Sequence, residues 1–366
     1  MPIVSLSVTG VRNLQPVTLN LSPQINIFYG RNGSGKTSLL EAIYFLAMAR
    51  SFRGSKQQPL IQHDAGQALV FARMAEGDAI EKVGVSRDRA ATLSIRIDDE
   101  TVRTVARLVK SLPVQVLNAE SFLLLDGSPK YRRQFLDWGV FHVEHSYMQL
   151  WQRLQQSLKQ RNYMLRHAIM DSQQMTAWEH EFCAASEQID AQRQSYLARL
   201  KPVFEQTLAQ LIELPELSIG YYRGWDRERS LAEVLQAGKE RDRQLGYTQT
   251  GPQRADIRIK LGGLNAVDVL SRGQQKLVVC AMRLAQGFVL AQHMQQSCIY
   301  LIDDLPAELD AEHRQALGRL LEQLQCQVCI TGTDKELLDK GWGKDTPIKM
   351  FHVEHGRINL VEQANE

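Results

Sequence analysis

The chain has 366 residues, of which 44% are hydrophobic and 23% charged, a composition typical of a globular protein with one large or two moderate domains. Its formal net charge of +2 neither demands nor excludes a nucleic-acid partner, because a local basic surface can be hidden in a balanced total. Five scattered cysteines, an odd number, exclude a disulfide framework.

The sequence predicts neither a membrane span nor a leader. The longest apolar stretch, residues 277–292, is interrupted by Arg283 and Gln286, so no segment is expected to cross a bilayer. The N-terminus has no charged region followed by an apolar one, as a signal peptide would. We therefore expect a cytoplasmic protein. Cys326 and Cys329 have C-x-x-C spacing, but they lie in a strand-like run and are predicted to be buried apolar residues.

Strands and one helix are predicted in the first hundred residues. Period-two alternation predicts strands at 3–8 and 17–21, and an apolar run predicts another at 25–29. Residues 38–47 have the apolar spacing of a helix. Three further strand-like runs predict an antiparallel sheet beside this core, at 68–74, 80–86 and 92–97.

The loop between the strand at 25–29 and the following helix fills the phosphate-binding pattern G-x-x-x-x-G-K-[ST] without a mismatch. Polyphosphate needs inward-pointing backbone N–H groups with no Cβ in the way, and the helix adds its positive N-terminal end. Lys36 is expected to reach the β- and γ-phosphates, and Thr37 to supply a hydroxyl to Mg²⁺. The predicted nucleotide-binding residues of this P-loop are Gly30, Arg31, Asn32, Gly33, Ser34, Gly35, Lys36 and Thr37.

A strand is predicted at 113–117, and a basic cluster of Lys130, Arg132 and Arg133 follows it. These side chains could contact phosphate, or they could form the solvated face of a helix start. The sequence leaves both interpretations open.

The chain becomes helical from residue 146 to about residue 214, where Gly is scarce and apolar residues recur at helical spacing. We expect two amphipathic helices that pair antiparallel into a short arm, joined near 170–176, with Pro202 kinking or ending the second. Three regions are predicted. Residues 1–140 form the N-terminal part of the nucleotide-binding domain with the P-loop, residues 141–245 form the helical arm, and residues 246–366 form the C-terminal part of the nucleotide-binding domain.

Residues 270–274, Leu-Ser-Arg-Gly-Gln, precede a long apolar helix. A serine, backbone N–H groups around a glycine and a helix N-terminus together make a second anion-binding site, which a single phosphate loop does not require. The predicted binding residues of this signature turn are Ser271, Arg272, Gly273 and Gln274.

A buried-type strand is predicted at 298–302, and two carboxylates follow it. This arrangement holds Mg²⁺ and positions water in P-loop ATPases. Asp303 is expected to orient Mg²⁺ together with Thr37, and Asp304 to polarise the attacking water. Lys36 and Asp304 are the predicted catalytic residues. A helix at 311–324 and a closing strand near 350–353 complete the chain.

The order of the motifs GRNGSGKT, LSRGQ, YLIDD and ELD resembles the ABC-type ATPase heads of the SMC and Rad50 group. The resemblance implies an α/β head with a mixed sheet flanked by helices and a mostly helical second domain. In that group, the Leu-Ser-x-Gly-Gln signature of one subunit caps ATP held in the P-loop of another. The resemblance therefore implies an ATP-dependent homodimer, in which the Ser271 hydroxyl and the Gly273 amide meet the γ-phosphate across the interface.

The stretches SFRG, RRQFLDWG and TGPQRAD extend the resemblance to the whole chain and to the RecF family of bacterial recombination mediators. It implies a weak, DNA-stimulated ATPase that binds single-stranded and duplex DNA and gap junctions. It further implies roles in DNA replication, repair and the SOS response. The implied partners are RecR directly, and RecO and RecA indirectly, in loading RecA at gaps.

The chain departs from the wider ABC pattern at two places. Thr331-Gly332-Thr333 stands where many of these ATPases have a switch histidine, so slow turnover is expected. Gln115 is a candidate for the Q-loop glutamine, although residues 118–120 could equally supply the polar group. Two other functions remain open. One is a transporter ATPase subunit, which the arm and the missing histidine argue against; the other is an adaptor that holds nucleotide as a structural ligand.

Overall fold

The computed structural model describes residues 1–54, 60–98, 100–167, 172–304 and 309–361. Its contacts divide the chain into two compact units. The first unit comprises residues 1–121 and 280–366, and the second comprises residues 122–279.

The described strands, in chain order, are β1 (Ile3–Thr9), β2 (Val17–Asn20), β3 (Ile25–Tyr29), β4 (Gln67–Glu76), β5 (Ala79–Asp88), β6 (Leu93–Ile97), β7 (Glu100–Thr101), β8 (Val114–Leu117), β9 (Leu217–Tyr222), β10 (Asp256–Leu261), β11 (Leu264–Asn265), β12 (Ile299–Ile302), β13 (Gln327–Gly332), β14 (Ile348–Glu354) and β15 (Arg357–Val361).

The described helices are α1 (Lys36–Met48), α2 (Val105–Ser111), α3 (Leu123–Asp126), α4 (Pro129–Val143), α5 (Tyr147–Arg166), α6 (Ser172–Ala209), α7 (Leu231–Leu245), α8 (Ala266–Val269), α9 (Arg272–Met294), α10 (Ala311–Gln323) and α11 (Lys335–Asp339).

The first unit contains a mixed sheet with the strand order β15-β14-β3-β13-β12-β8. The strands from β14 to β8 are parallel, and β15 pairs antiparallel at the edge. Strands β12 and β13 are buried along their whole length, as parallel strands covered on both faces should be. The carboxyl ends of β3, β13 and β12 therefore meet at one edge of the sheet, where ligands bind in open α/β sheets.

The predicted antiparallel sheet is present, with the order β2-β1-β4-β5-β6-β7. Helix α1 packs against β4 and β5 of this sheet and against β12 and β13 of the mixed sheet. Most of its residues are buried, so its apolar surface is not confined to one face. The helix that follows the P-loop is thus fixed in the core of the first unit.

The second unit is mostly helical and also contains the small sheet β11-β10-β9. Helices α5 and α6 pair antiparallel, as the bonds from Gln192 to Ser146 and from Arg153 to Glu181 indicate. Pro202 lies inside α6, which continues to Ala209, so the expectation that this proline could end the helix is wrong. Proline cannot donate a backbone hydrogen bond, but the helix tolerates that loss here. Residues 170 and 171, within the predicted connection, lie outside the described residues.

The two units differ from the predicted domain boundaries, and α4 gives the physical reason. Arg132 on α4 forms two hydrogen bonds with the carboxylate of Asp256 on β10, of 2.7 and 3.2 Å. Arg133 donates to the carbonyl oxygen of Ala255 at 2.9 Å. These bonds and the packing of α4 on α6 join residues 122–140 and 246–279 to the arm. Both arginines make structural contacts inside the second unit, while Lys130 is exposed.

Helix α9 corrects the expectation that no segment qualifies to span a bilayer. By length and composition it could do so, because its mean hydropathy stays high despite Arg283 and Gln286. However, 67% of its most apolar stretch is buried within the protein, as in the core helix of a globular fold. Arg283 donates to Gln115 Oε1 at 3.0 Å, and Gln286 accepts from Gln115 Nε2 at 3.0 Å.

The cysteine prediction is confirmed. Cys326, directly before β13, and Cys329, within it, are free and buried. Burial raises the pKa of both thiols to about 12, because the charged thiolate is poorly solvated there. Both side chains therefore remain protonated and apolar at neutral pH.

Candidate nucleotide-binding site

The P-loop begins directly after β3 and leads into α1. A Cβ at Gly30 would lie 2.2 Å from the carbonyl oxygen of Val353, so no side chain fits there. Gly35 has φ of +119°, a left-handed backbone conformation that glycine adopts readily. These two glycines are required by the path of the loop itself.

Lys36 is folded back over the loop. Its ammonium donates to the carbonyl oxygens of Gly30 and Arg31, at 2.8 and 3.1 Å, and the side chain is almost fully buried. The Ser34 hydroxyl is buried and has no hydrogen-bond partner among the described residues. A buried polar atom without a partner is costly. The loop therefore holds a buried ammonium and an unsatisfied hydroxyl, both of which suit phosphate oxygens.

A cavity of about 800 Å³ lies against the loop. Its volume is within the range of about 300–1,000 Å³ typical of ligand pockets. Arg12, Arg53 and Arg89 line it together with Lys36, and Asp304 stands on its wall. The cavity therefore offers a concentration of positive charge beside the P-loop, which matches an anionic ligand.

The P-loop and the two aspartates come together as predicted from their order in the chain. The Thr37 hydroxyl donates to Asp303 Oδ1 at 3.0 Å, although the two residues are far apart in sequence. This juxtaposition arises because β3 and β12 end at the same edge of the sheet. Asp304, the next residue, has φ of +54° and lines the cavity. A hydroxyl and a carboxylate at this distance are oxygen ligands of the kind that Mg²⁺ prefers.

Thr331 is a site residue whose role the sequence did not reveal. It lies near the end of β13, between the P-loop strand and the strand that carries the aspartates. Its hydroxyl donates to Asp303 Oδ1 at 2.7 Å and accepts from the backbone N–H of Asp304 at 3.1 Å. One buried hydroxyl thus orients both carboxylate residues. The sequence marked this strand only for its missing histidine.

Two other residues that support the loop were also missed. The Asn13 amide donates to the carbonyl oxygen of Gly33 at 3.2 Å and accepts from the Ser38 hydroxyl at 2.7 Å. The backbone N–H of Gly356, in the turn between β14 and β15, donates to the carbonyl oxygen of Ser34 at 2.8 Å. Both contacts join distant parts of the chain, and no local pattern in the sequence indicates them.

The signature turn lies in the second unit, whereas the P-loop and both aspartates lie in the first. The Ser271 hydroxyl accepts from the backbone N–H of Gln274 at 3.3 Å, and Gln274 Oε1 accepts from the backbone N–H of Ser271 at 2.9 Å. This reciprocal pair is a capping box, and S-x-x-Q is its sequence pattern. Ser271, Arg272 and Gly273 are exposed, and Arg272 forms an ion pair with Asp126 at 3.2 Å. The turn is a helix N-terminus that faces solvent.

Neither Q-loop candidate lines the cavity. Both ends of the Gln115 amide are bonded to α9, as described above, and its side chain is buried. Asn118 and Ser121 bond each other through backbone and side chain instead. In the motif ELD, Glu308 lies outside the described residues, while Asp310 caps α10 by accepting from the backbone N–H of His313 at 3.0 Å.

The mixed sheet, the P-loop at the end of β3 and the aspartates at the end of β12 define an ABC-type ATPase head. The family model described as the RecF/RecN/SMC N terminal domain matches residues 2–359. Proteins described as DNA replication and repair protein RecF match along their full length. The chain therefore belongs to the RecF/RecN/SMC family and, within it, to the RecF proteins.

Two of these relatives illustrate the extent of the similarity. The one from Stutzerimonas stutzeri is 57% identical over 362 residues, which cover 99% of this chain and 98% of the relative. The one from Pseudomonas syringae pv. syringae is 56% identical over 368 residues and covers 100% of both chains. Such full-length similarity favours this family over the transporter ATPase alternative.

Solved structures support the same fold. A structure of the recombination mediator protein RecF with ATP, in the RecFOR pathway, has a TM-score of 0.87 at 23% identity and covers 99% of this chain and 98% of that one. An Smc head bound to the C-terminal winged-helix domain of ScpA has a TM-score of 0.59 at 15% identity, with coverage of 99% and 97%. The predicted fold class, an ATPase head with a mostly helical second domain, is confirmed.

Proposed function

We propose that the chain is an ATP-dependent DNA-binding protein of recombinational gap repair, DNA replication and the SOS response. The observation that carries this proposal is the contact of Thr37 with Asp303 at the edge of a positively lined cavity. The names of the close relatives, which describe DNA replication and repair, give the biological setting.

The P-loop residues 30–37 bind the phosphates of ATP. Its backbone N–H groups and the α1 N-terminus meet the phosphate oxygens. Lys36 exchanges its bonds to Gly30 and Arg31 for bonds to the β- and γ-phosphates. The Lys36 ammonium, which belongs to a residue of the cavity wall, supports phosphate as the ligand of this loop.

Thr37 and Asp303 are the residues that would hold Mg²⁺, as a hydroxyl and a carboxylate oxygen already 3.0 Å apart. A bound Mg²⁺ would neutralise part of the negative charge on the β- and γ-phosphates. Asp304 orients the attacking water and accepts its proton. The Thr331 hydroxyl fixes the positions of Asp303 and Asp304 through its two hydrogen bonds. Lys36 stabilises the charge that develops on the transferred phosphate.

Hydrolysis requires a second copy of the chain. Ser271, Arg272, Gly273 and Gln274 cap the ATP held in the partner's P-loop, with the Ser271 hydroxyl and the Gly273 N–H directed at the γ-phosphate. Their exposure at the α9 N-terminus supports this role, because an uncovered helix N-terminus favours anions. The homodimer closes when ATP binds and reopens after hydrolysis.

The ATPase is weak, since Thr331-Gly332-Thr333 stands where a switch histidine would be. DNA stimulates it, as the membership of the RecF proteins implies. The dimer binds single-stranded and linear duplex DNA and gap junctions in the cytoplasm. It acts with RecR and, through RecO and RecR, helps to load RecA. The RecFOR pathway named for the solved relative supports RecO and RecR as partners.

Binding assays with single-stranded, duplex and gapped DNA, each with ATP and with ADP, test the proposal. Tighter binding with ATP, together with a dimer seen by light scattering, is the expected result. Equal binding in both nucleotides would contradict an ATP-dependent DNA binder. Measuring hydrolysis with and without DNA separates the adaptor alternative, which predicts no stimulation by DNA and no dependence on Asp304.

A further inference from the structure

Glu41 is a carboxylate on α1 whose side chain is completely buried. It lies one helical turn after Thr37, on a helix enclosed by two sheets. Arg12 forms two hydrogen bonds with it, from Nε to Oε2 at 2.8 Å and from Nη2 to Oε1 at 2.7 Å. The Ser51 hydroxyl also donates to Oε1. A buried carboxylate without such partners would be strongly unfavourable. Glu41 can therefore be buried only while Arg12 and Ser51 stay bonded to it.

The partners of Glu41 belong to two separate loops, and both loops carry an arginine of the cavity wall. Arg12 itself lines the cavity and has φ of +50°, a backbone conformation that ordinary residues adopt only where their contacts hold them. Ser51 accepts from the backbone N–H of Arg53, the second cavity arginine, at 2.9 Å. One carboxylate thus anchors both arginine-bearing loops to the helix that starts at the P-loop.

We propose that Glu41 is a positioning residue of the nucleotide site, which acts through Arg12 and, by way of Ser51, through Arg53. Arg12 binds the Glu41 carboxylate through Nε and Nη2, and the two N–H groups on Nη1 remain for an acceptor in the cavity. The planar guanidinium is thereby aimed before the ligand arrives, which lowers the entropy cost of binding an anion. This inference rests on the proposed binding of ATP and adds residues that no motif of the P-loop includes.

The rival explanation is that Glu41 only ties two loops to the core. It predicts a loss of stability with unchanged nucleotide affinity in the folded protein. A matched control exists in the second unit, where Arg161 and Asp242 form a buried ion pair of 2.7 Å. Asp242→Asn breaks a pair of the same kind in the unit that does not contain the P-loop, so it measures the stability effect alone.

The experiment measures the Kd of ATP, and kcat and KM of hydrolysis, for the full chain with Glu41→Gln, Ser51→Ala, Arg12→Ala and Asp242→Asn. Glu41→Gln keeps the shape but removes the charge, and we expect roughly ten-fold weaker ATP binding, as for the partners that orient metal ligands. We expect Ser51→Ala to weaken binding about two-fold, the effect of a modest hydrogen bond. Asp242→Asn should lower the melting temperature and leave the Kd unchanged.

A double-mutant cycle decides whether Glu41 acts through Arg12. If it does, Arg12→Ala combined with Glu41→Gln binds ATP at most about two-fold more weakly than Arg12→Ala alone, the remainder being the route through Ser51. Additive losses, or a Kd of Glu41→Gln equal to that of the unchanged protein, would overturn the inference. If Glu41→Gln does not fold, an unchanged Kd for the milder Ser51→Ala overturns it instead. Failure of the proposed function is distinguishable, because the unchanged protein would then not bind ATP at all.

Discussion

The P-loop and the signature turn both present a helix N-terminus and a glycine backbone, but they differ in how the chain supports them. The P-loop is held from several directions, by Asn13, by the N–H of Gly356 and by its own Lys36. The signature turn is held by a capping box within four residues and by the buried Gln275, which donates to the carbonyl oxygen of Leu270 at 2.9 Å. Its binding groups face solvent.

This difference indicates a division of labour. A loop supported by the rest of its unit is preorganised and can bind phosphate in a single chain. The exposed turn presents its anion-binding groups to solvent, so in the proposed mechanism it contributes to catalysis only when it meets a ligand bound elsewhere. Changes at the P-loop should therefore affect binding by the monomer, whereas changes at the signature turn should affect only steps that need two copies.

Lys36→Ala should have the largest effect. It removes the charge that meets the phosphates, and we expect hydrolysis to fall by roughly 10³-fold, with ATP binding and dimerisation lost together. The carbonyl oxygens of Gly30 and Arg31 also lose their partner, at a cost of about 1–3 kcal/mol in unfolding free energy. Calorimetry and light scattering check this, with Lys36→Met as a control that keeps the buried stem. A dimer that forms without ATP in either variant would contradict the expectation.

Asp304→Asn should reduce hydrolysis by roughly 10²–10³-fold, because the amide cannot accept a proton from water. ATP binding and dimerisation should persist, since the backbone N–H of residue 304 still donates to Thr331. Single-turnover hydrolysis with radiolabelled ATP measures the loss, and gel filtration measures the dimer. If this variant hydrolyses ATP at the normal rate, Asp304 is not the residue that acts on water.

Ser271→Ala should lower hydrolysis by roughly 10²-fold, the effect of losing one donor to a developing charge. It also removes the N-cap of α9, which costs about 1 kcal/mol of stability. Ser271→Asp separates the two effects, because aspartate restores the cap but repels the γ-phosphate. Monomer ATP binding should be normal in both variants. Impaired binding by the monomer would show that the turn does not act across an interface.

Thr331→Val should have the smallest effect of the four, about ten-fold on hydrolysis, as for residues that orient metal ligands. Valine has a similar shape but offers no hydroxyl to Asp303 or to the backbone N–H of Asp304. Thr331→Ser should restore most of the rate. The Mg²⁺ concentration needed for half-maximal hydrolysis should rise in the valine variant only, and an identical requirement in all three proteins would argue against this role.

The sequence predicted the parts of the site that depend on local order. The strand at 25–29 and the helix that follows the P-loop were predicted correctly, because glycine spacing and apolar periodicity act over a few residues. The contact between Thr37 and Asp303 could be anticipated because both stand in motifs whose order implies parallel neighbouring strands. Local chemistry combined with a motif order was therefore sufficient for the core of the site.

The remaining site residues depend on contacts that local pattern does not encode. Asn13, Glu41 and Thr331 are ordinary residues in sequence, and each becomes part of the site only through a partner on a distant element. Arg132 and Arg133 show the same limit in the second unit. Their spacing suited a solvated helix or a phosphate contact, yet their acceptors on and beside β10 lie more than a hundred residues further along the chain.

The position of β3 in the mixed sheet has a consequence for biosynthesis. Both of its neighbours, β13 and β14, lie far after it in the chain, and the bond to Ser34 comes from Gly356. At roughly 5–20 residues per second, the ribosome needs on the order of half a minute to travel from the P-loop to that glycine. During this interval the nascent strand has no sheet partners and the loop has no final support. The growing polypeptide therefore completes the support of its P-loop only after the hairpin of β14 and β15 has been made.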